Sequence, residues 1–220
     1  VKETAMSFQP LDRAGIAARI ARDIPEGWFV NLGIGIPTGV SDHVPNDREV
    51  IFHSENGVIG AGPAAAPDKI NPYLVNAGTQ HITLRTGGSF VHHADSFAIA
   101  RGGHLDLCVL GAFEVAENGD IANWARSADE PTKQVGGAMD LAIGAKRLWV
   151  AMEHITKGRG GSRIRRVCSY PLTAKGVVRR VYTDLAVLEV TPHGFSVVDI
   201  IPGMTREELQ NRSEAELHWT

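Results

Sequence analysis

One carboxylate in this 220-residue chain stands where a nucleophile would. Glu55, in Phe52-His53-Ser54-Glu55-Asn56-Gly57-Val58-Ile59-Gly60, follows the apolar run Glu49-Val50-Ile51-Phe52 and precedes a glycine turn. In bulk water a carboxylate is heavily solvated and attacks poorly. At a strand end, walled by apolar side chains and flanked by Gly57 and Gly60, it can meet an activated acyl group. Asn56 and the turn amides, that of Gly57 included, are then candidates to stabilise developing oxyanion charge. The competing structural account of Glu55 is a solvated turn or cap residue.

Other constellations are weighed the same way. Gly33-Ile34-Gly35 lies between a strand and a helix start, as phosphate-binding glycines do. The dinucleotide fingerprint fails, because Thr38 stands where its third glycine belongs and Pro37 fills a spacer position. A tight turn bringing backbone close to a substrate explains Gly33 and Gly35 better. Gly136-Gly137 precedes a helix, so its amides are candidate oxyanion donors; the alternative is a plain loop-to-helix joint. Nine histidines invite a metal hypothesis, but neighbours such as His92 and His93 diverge by about 100° on a helix, and no zinc spacing occurs. No metal is expected. No Gly-x-Ser-x-Gly elbow is present either.

With 43% hydrophobic residues the chain can bury a sizeable core, which excludes a disordered or fibrous protein. Its 22 Lys+Arg against 25 Asp+Glu offer no general basic surface for nucleic acid. The basic run Lys157 to Arg166 is read as a glycine-rich solvated loop. Two cysteines, Cys108 and Cys168, make neither a metal spacing nor a disulfide framework, and a cytoplasmic protein is the expectation. No apolar run approaches the ~20 residues needed to span a bilayer, and no signal-peptide pattern opens the sequence.

The elements that must position these residues follow from periodicity. Leu11 to Ile24 places Ile16, Ile20 and Ile24 on one stripe, an amphipathic helix ended by Pro25-Glu26-Gly27. Strands are expected at Trp28 to Leu32, before Glu55, at His81 to Leu84, Leu105 to Val115 and Leu148 to Met152. Helices are expected to open at Pro37 and to run through His92 to Ala100 and Met139 to Ala145. Such alternation indicates an α/β domain around a mainly parallel sheet flanked by helices. A C-terminal β-hairpin turns at Thr191-Pro192-His193-Gly194, and Thr205 with Glu208 makes a capping box for a last helix. Residues 11–220 read as a single domain, with 1–10 a disordered or vector-derived start.

Phe52 to Gly60 resembles the B-chain signature of the class I coenzyme A transferases, whose Glu attacks an acyl-CoA thioester. Asn31-Leu32-Gly33-Ile34-Gly35-Ile36-Pro37-Thr38, His92-His93-Ala94-Asp95-Ser96-Phe97, Arg101-Gly102-Gly103-His104, Ala122-Asn123-Trp124 and Gly136-Gly137-Ala138-Met139-Asp140 resemble the same family, in its order. The resemblance runs from about Leu11 to about Leu209. It implies Glu55 as covalent carrier, Gly136 and Gly137 lining the site beside it, and substrate or CoA contact at Asn31. It implies no cofactor, CoA being a substrate that becomes transiently covalent. The family's A half has its own glycine-rich segment, which this sequence lacks. An A2B2 assembly with a separate CoA-transferase A subunit is therefore implied. His92 to Phe97 and Gly111-Ala112-Phe113 look more like the 3-oxoadipate enzymes of aromatic degradation than the acetoacetate enzymes. Succinyl-CoA is the implied donor. The alternatives are an acetoacetate enzyme of the family or, more distantly, an acyl-CoA hydrolase or binding protein. For a dicarboxylic oxoacid, Arg101 is the candidate to grip the second carboxylate, against a helix-capping role. One departure stands out: many members have Lys where this chain has Thr79.

Overall fold

In a computed structural model, which describes residues 8–127, 136–158 and 160–219, ten strands form one sheet. Helix α1 (Arg13–Asp23) starts where Asp12 accepts a hydrogen bond from the Gly15 amide at 2.7 Å. Ile16, Ile20 and Ile24, with Ala17 and Ala21, form the buried stripe the sequence predicts. A cap is worth about 1 kcal/mol and each buried isoleucine roughly 2 kcal/mol, so burial fixes this helix to the sheet.

Strands β1 (Phe29–Leu32), β2 (Ile51–Ser54), β3 (Val58–Ala64) and β4 (Ile82–Phe90) follow, with a 3-10 helix, Ile36–His43, after β1. Next come α2 (His93–Arg101), β5 (Leu107–Gly111), β6 (Glu114–Ala116), β7 (Ile121–Ala122), α3 (Ala138–Gly144) and β8 (Leu148–Ala151). The chain ends with β9 (Ile164–Arg165), β10 (Val178–Tyr182), β11 (Ala186–Thr191), β12 (Gly194–Ile200), α4 (Arg206–Gln210) and β13 (Leu217–Trp219). The large sheet is ordered β13-β12-β11-β10-β8-β5-β1-β2-β3-β4, and a smaller one β7-β6-β9.

From β10 to β2 all neighbours are parallel, while β2-β3-β4 on one side and β10-β11-β12 on the other are antiparallel. This is the expected α/β fold, with β11 and β12 as the C-terminal hairpin. Period-two alternation divides the core. Leu107 and Val109 of β5 face α1 and the 3-10 helix, whereas Cys108 and Leu110 face the side of α2 and α3. The capping box of α4 is present, Glu208 N–H donating to Thr205 Oγ1 at 3.2 Å and Thr205 N–H to Glu208 Oε2 at 2.8 Å.

Four expectations need correction. The strand read from Leu105 to Val115 is two strands in different sheets; Asn123 Nδ2 donates to the Gly111 carbonyl at 3.1 Å where β5 stops. The strand expected at His81 to Leu84 continues to Phe90, its Gly87 and Gly88 hiding the alternation. Ordered structure begins before residue 11: Phe8 is buried, with the Arg212 guanidinium 5.1 Å from its ring. Residues 1–7 lie outside the described residues. The basic run read as a solvated loop is exposed at Lys157, Gly158, Gly160 and Gly161 but ends in strand β9, where Arg165 pairs with Glu214 at 2.6 Å; Arg159 is outside the described residues.

Candidate active site

Parallel strands leave their carboxyl ends on one edge of the sheet, and a crevice opens where successive connections leave in opposite directions. Here β1 is flanked by β2 on one side and β5 on the other, so its C-terminal end is such a point. A cavity of about 690 Å³ lies there, lined by Gly33, Gly35, Glu55, Phe113, Gly136 and Gly137 among others. Gly33 is dictated by packing: a Cβ on it would lie 2.9 Å from Leu110 Cδ2 and 3.1 Å from the Val109 carbonyl oxygen. Gly35 is dictated by its backbone, with φ 98°.

Glu55 occupies the turn between β2 and β3, closed by Gly57 N–H donating to Ser54 O at 2.9 Å. The side chain is part buried, and that burial pushes its carboxyl above the ordinary carboxylate range, with His93 pulling the other way. His93 donates from Nδ1 to the Glu55 carbonyl oxygen at 3.1 Å. A carboxylate so desolvated is a stronger nucleophile than one in water. Across the cavity, a Cβ on Gly137 would strike Phe97 at 2.6 Å and stand 3.5 Å from Glu55 Oε1. Glycine at 137 is therefore what lets α3 begin against both.

Several sequence-based candidates sit elsewhere. The Gly57 amide closes the turn and the Asn56 side-chain amide donates to Val75 O at 2.8 Å, so neither group is aimed at an oxyanion. Gly57 is required instead by its φ of 111° and by the Val91 carbonyl, 2.3 Å from where a Cβ would be. Asn31 is 0% exposed and bonded to His53, because β1 and β2 bury this face; it does not touch the cavity. Arg101 grips Asp140 through two bonds of 2.9 Å and packs on Phe97, outside the cavity lining. A guanidinium so engaged is not the carboxylate grip expected of it.

Among the described residues the cations that line the cavity are Arg13, Arg126 and Arg163, none of them expected from sequence to be there. Arg163 lies 3.8 Å from Glu153, also a cavity residue. Arg126 lies over the Phe113 ring, 4.9 Å from its centroid. Its signal was available, since it stands two residues after Ala122-Asn123-Trp124 and stacks on the aromatic residue of Gly111-Ala112-Phe113.

Thr79 has φ 62°, the one positive value on a non-glycine among the described residues. Asn76 Oδ1 holds that loop by accepting from the Gly78 and Gln80 amides at 2.9 and 3.0 Å. Two further bonds tie the loop to the Glu55 turn, from Ala77 N–H to Ser54 Oγ at 2.9 Å and from Asn56 Nδ2 to Val75 O.

The site is thus a part-buried carboxylate in the switch-point crevice of an open α/β sheet that carries helices on both faces. The chain belongs to the coenzyme A transferase family, whose profile matches residues 13–211. It is 54% identical over 203 residues to the B subunit of 3-oxoadipate CoA-transferase from Pseudomonas putida, covering 92% of this chain and 94% of that one. The protein of the same name from Acinetobacter baylyi is 49% identical over 212 residues, covering 96% and 97%. Among solved structures, an acyl-CoA transferase apoenzyme from Escherichia coli O157:H7 has the same fold, with a TM-score of 0.74 at 17% identity. That match covers 96% of this chain but 43% of that longer one.

Proposed function

We propose that this chain is the B subunit of a 3-oxoacid CoA-transferase that moves CoA from succinyl-CoA to 3-oxoadipate, with Glu55 as covalent carrier. The observation carrying the reading is Glu55 itself, a desolvated carboxylate at a strand end beside an acyl-sized cavity. A Glu55 oxygen attacks the succinyl thioester carbonyl, the C–S bond breaks, and a succinyl-glutamyl anhydride and CoA thiolate result. The thiolate attacks the Glu55 carbonyl carbon and succinate leaves, giving a glutamyl-CoA thioester. The 3-oxoadipate carboxylate then attacks that thioester, releasing thiolate and forming the second anhydride. Attack of the thiolate on the 3-oxoacyl carbonyl yields 3-oxoadipyl-CoA and restores the Glu55 carboxylate. Every bond broken is matched by one formed, and neither electrons nor protons are left over; the scheme calls for no cofactor beyond the CoA substrate. Splitting the exchange this way replaces one hard step by several of comparable height.

The relatives' names together with the cavity support this substrate and partner. Succinyl and 3-oxoadipyl groups both carry a distal carboxylate, and the cavity lining includes Arg126, held over the Phe113 ring, as a cation to attract it. Gly136 and Gly137 are the backbone positions beside Glu55 from which oxyanion donors would come. The relatives are named as B subunits, which implies an A partner, and an A2B2 complex is the assembly proposed here. The test is reconstitution. The purified chain alone should transfer no CoA, and adding the A subunit should restore transfer with 3-oxoadipate preferred over acetoacetate by at least about tenfold in kcat/KM. A preference for acetoacetate would assign the acetoacetate enzyme instead; turnover by this chain alone would end the two-chain reading.

A further inference from the structure

Beneath the cavity lies a set of buried polar groups that the transfer chemistry does not use. Asn31 on β1, His53 on β2, Ser96 on α2 and Cys108 on β5 are each no more than 2% exposed. Asn31 Nδ2 is 3.3 Å from the His53 carbonyl oxygen and 3.0 Å from His53 Nδ1. A carbonyl oxygen only accepts, so the amide nitrogen must face it, and the same NH2 group then donates to Nδ1. With Nδ1 accepting, the ring proton sits on Nε2 and donates to Ser96 Oγ at 2.8 Å. The Ser96 hydroxyl proton is left for Ser54 O, 3.4 Å away, and Cys108 Sγ–H points at Asn31 Oδ1 at 3.5 Å. Donors therefore run one way, from Cys108 through Asn31, His53 and Ser96 to the Ser54 carbonyl.

That carbonyl is where the chain of bonds meets the chemistry, because it also accepts the Gly57 amide that closes the Glu55 turn. The Ser96 hydroxyl lies 3.4 Å from the same oxygen. We propose that Asn31, His53 and Ser96 are positioning residues that fix the Ser54–Glu55 peptide and so aim the Glu55 carboxylate, a role that rests on Glu55 being the acyl carrier. Apolar residues of similar volume would fill this space with no desolvation cost. A satisfied polar network here instead binds three strands and a helix to one peptide group, and linked bonds strengthen one another in such surroundings. Burial holds His53 neutral, its pKa lowered to about 4, so the network keeps the same proton arrangement through neutral pH. A carboxylate misplaced by about 1 Å loses up to a hundredfold in rate, which is the effect such a support prevents.

The experiment uses the chain assembled with its A subunit. Ser96→Ala should slow single-turnover acylation of Glu55 by at least about tenfold while KM for the acyl-CoA stays within about twofold. Ser96→Cys, a weaker donor of similar size, should fall between the two. Nitrogen-15 NMR of wild-type His53 should show a neutral ring protonated on Nε2 at pH 7. A Ser96→Ala complex that melts earlier yet acylates at the wild-type rate overturns the proposal, as does an Nδ1–H ring or an imidazolium. Should Ser96→Ala not fold, acylation at the wild-type rate by Ser96→Cys overturns it equally. A wild-type complex that forms no adduct on Glu55 sinks the carrier reading instead, and with it the positioning role.

Discussion

Gly137 and Glu55 face each other so closely that a methyl group on the glycine would stand 3.5 Å from Glu55 Oε1 while overlapping the Phe97 ring. Gly137→Ala must push Phe97 or the start of α3 aside, an overpacking cost of about 1–3 kcal/mol. Because Glu55 shares that wall, CoA transfer should fall by more than about tenfold. Parallel measurement of kcat and denaturation midpoint decides this. A variant that loses stability but transfers at the wild-type rate would separate Gly137 from the site.

Arg126 and Arg101 should behave oppositely on substitution. Arg126→Ala should reduce kcat/KM for 3-oxoadipate by about tenfold or more, since a charged group loses its partner, and change kcat/KM for acetoacetate little, these constants reporting the acceptor half of the exchange alone. Arg101→Ala removes an exposed pair with Asp140 and should leave both rates near wild type. Equal losses on both substrates for Arg126→Ala would remove it from carboxylate recognition.

The contrast between those arginines shows how far the sequence could be read. Glu55 was legible because its strand, turn and glycines are neighbours in the chain, and α1 because one stripe of isoleucines names its buried face. The hairpin and the Thr205–Glu208 capping box are equally local. What was hidden depends on distant partners. Arg101 meets Asp140, 39 positions away, and Asn31 meets His53, 22 away; no period encodes either contact. Both residues had the right chemistry for a ligand and were claimed first by the fold. Strands β3 and β4 were obscured by their own glycines, Gly60, Gly62, Gly87 and Gly88, which interrupt alternation where the ladders shift register.

Stability should weaken in mild acid. His53 and the fully buried His154 both have pKa values lowered from 6.5 to about 4, burial being the main cause, with the Arg212 charge adding to it at His154. Between those values the unfolded chain binds protons that the folded chain refuses, so unfolding free energy falls as pH falls from about 6.5 to about 4, by ~1.4 kcal/mol per pH unit and histidine. Glu55 and Asp184, raised by burial, act in the opposite direction and blunt the slope. Urea titrations at pH 7 and pH 4.5 should show the loss, and His154→Gln should flatten it. No difference in pH slope between His154→Gln and wild type would contradict a buried neutral imidazole.

Thr79 holds a left-handed backbone that a β-branched side chain tolerates poorly. Thr79→Asn, which accepts this conformation, should raise unfolding free energy by about 1 kcal/mol. A lower melting temperature for the variant would mean that the threonine hydroxyl, donating to Gly78 O at 2.7 Å, outweighs the strain.

Covalent capture tests the central claim most directly. The chain assembled with its A subunit is incubated with succinyl-CoA alone, digested and mapped by mass spectrometry, with borohydride or hydroxylamine used to trap the adduct. The peptide containing Glu55 should carry CoA before trapping and the corresponding modification after it, and Glu55→Ala should assemble normally yet show neither adduct nor transfer. CoA attached at another residue, or transfer at the wild-type rate by the Glu55→Ala complex, would contradict Glu55 as the carrier.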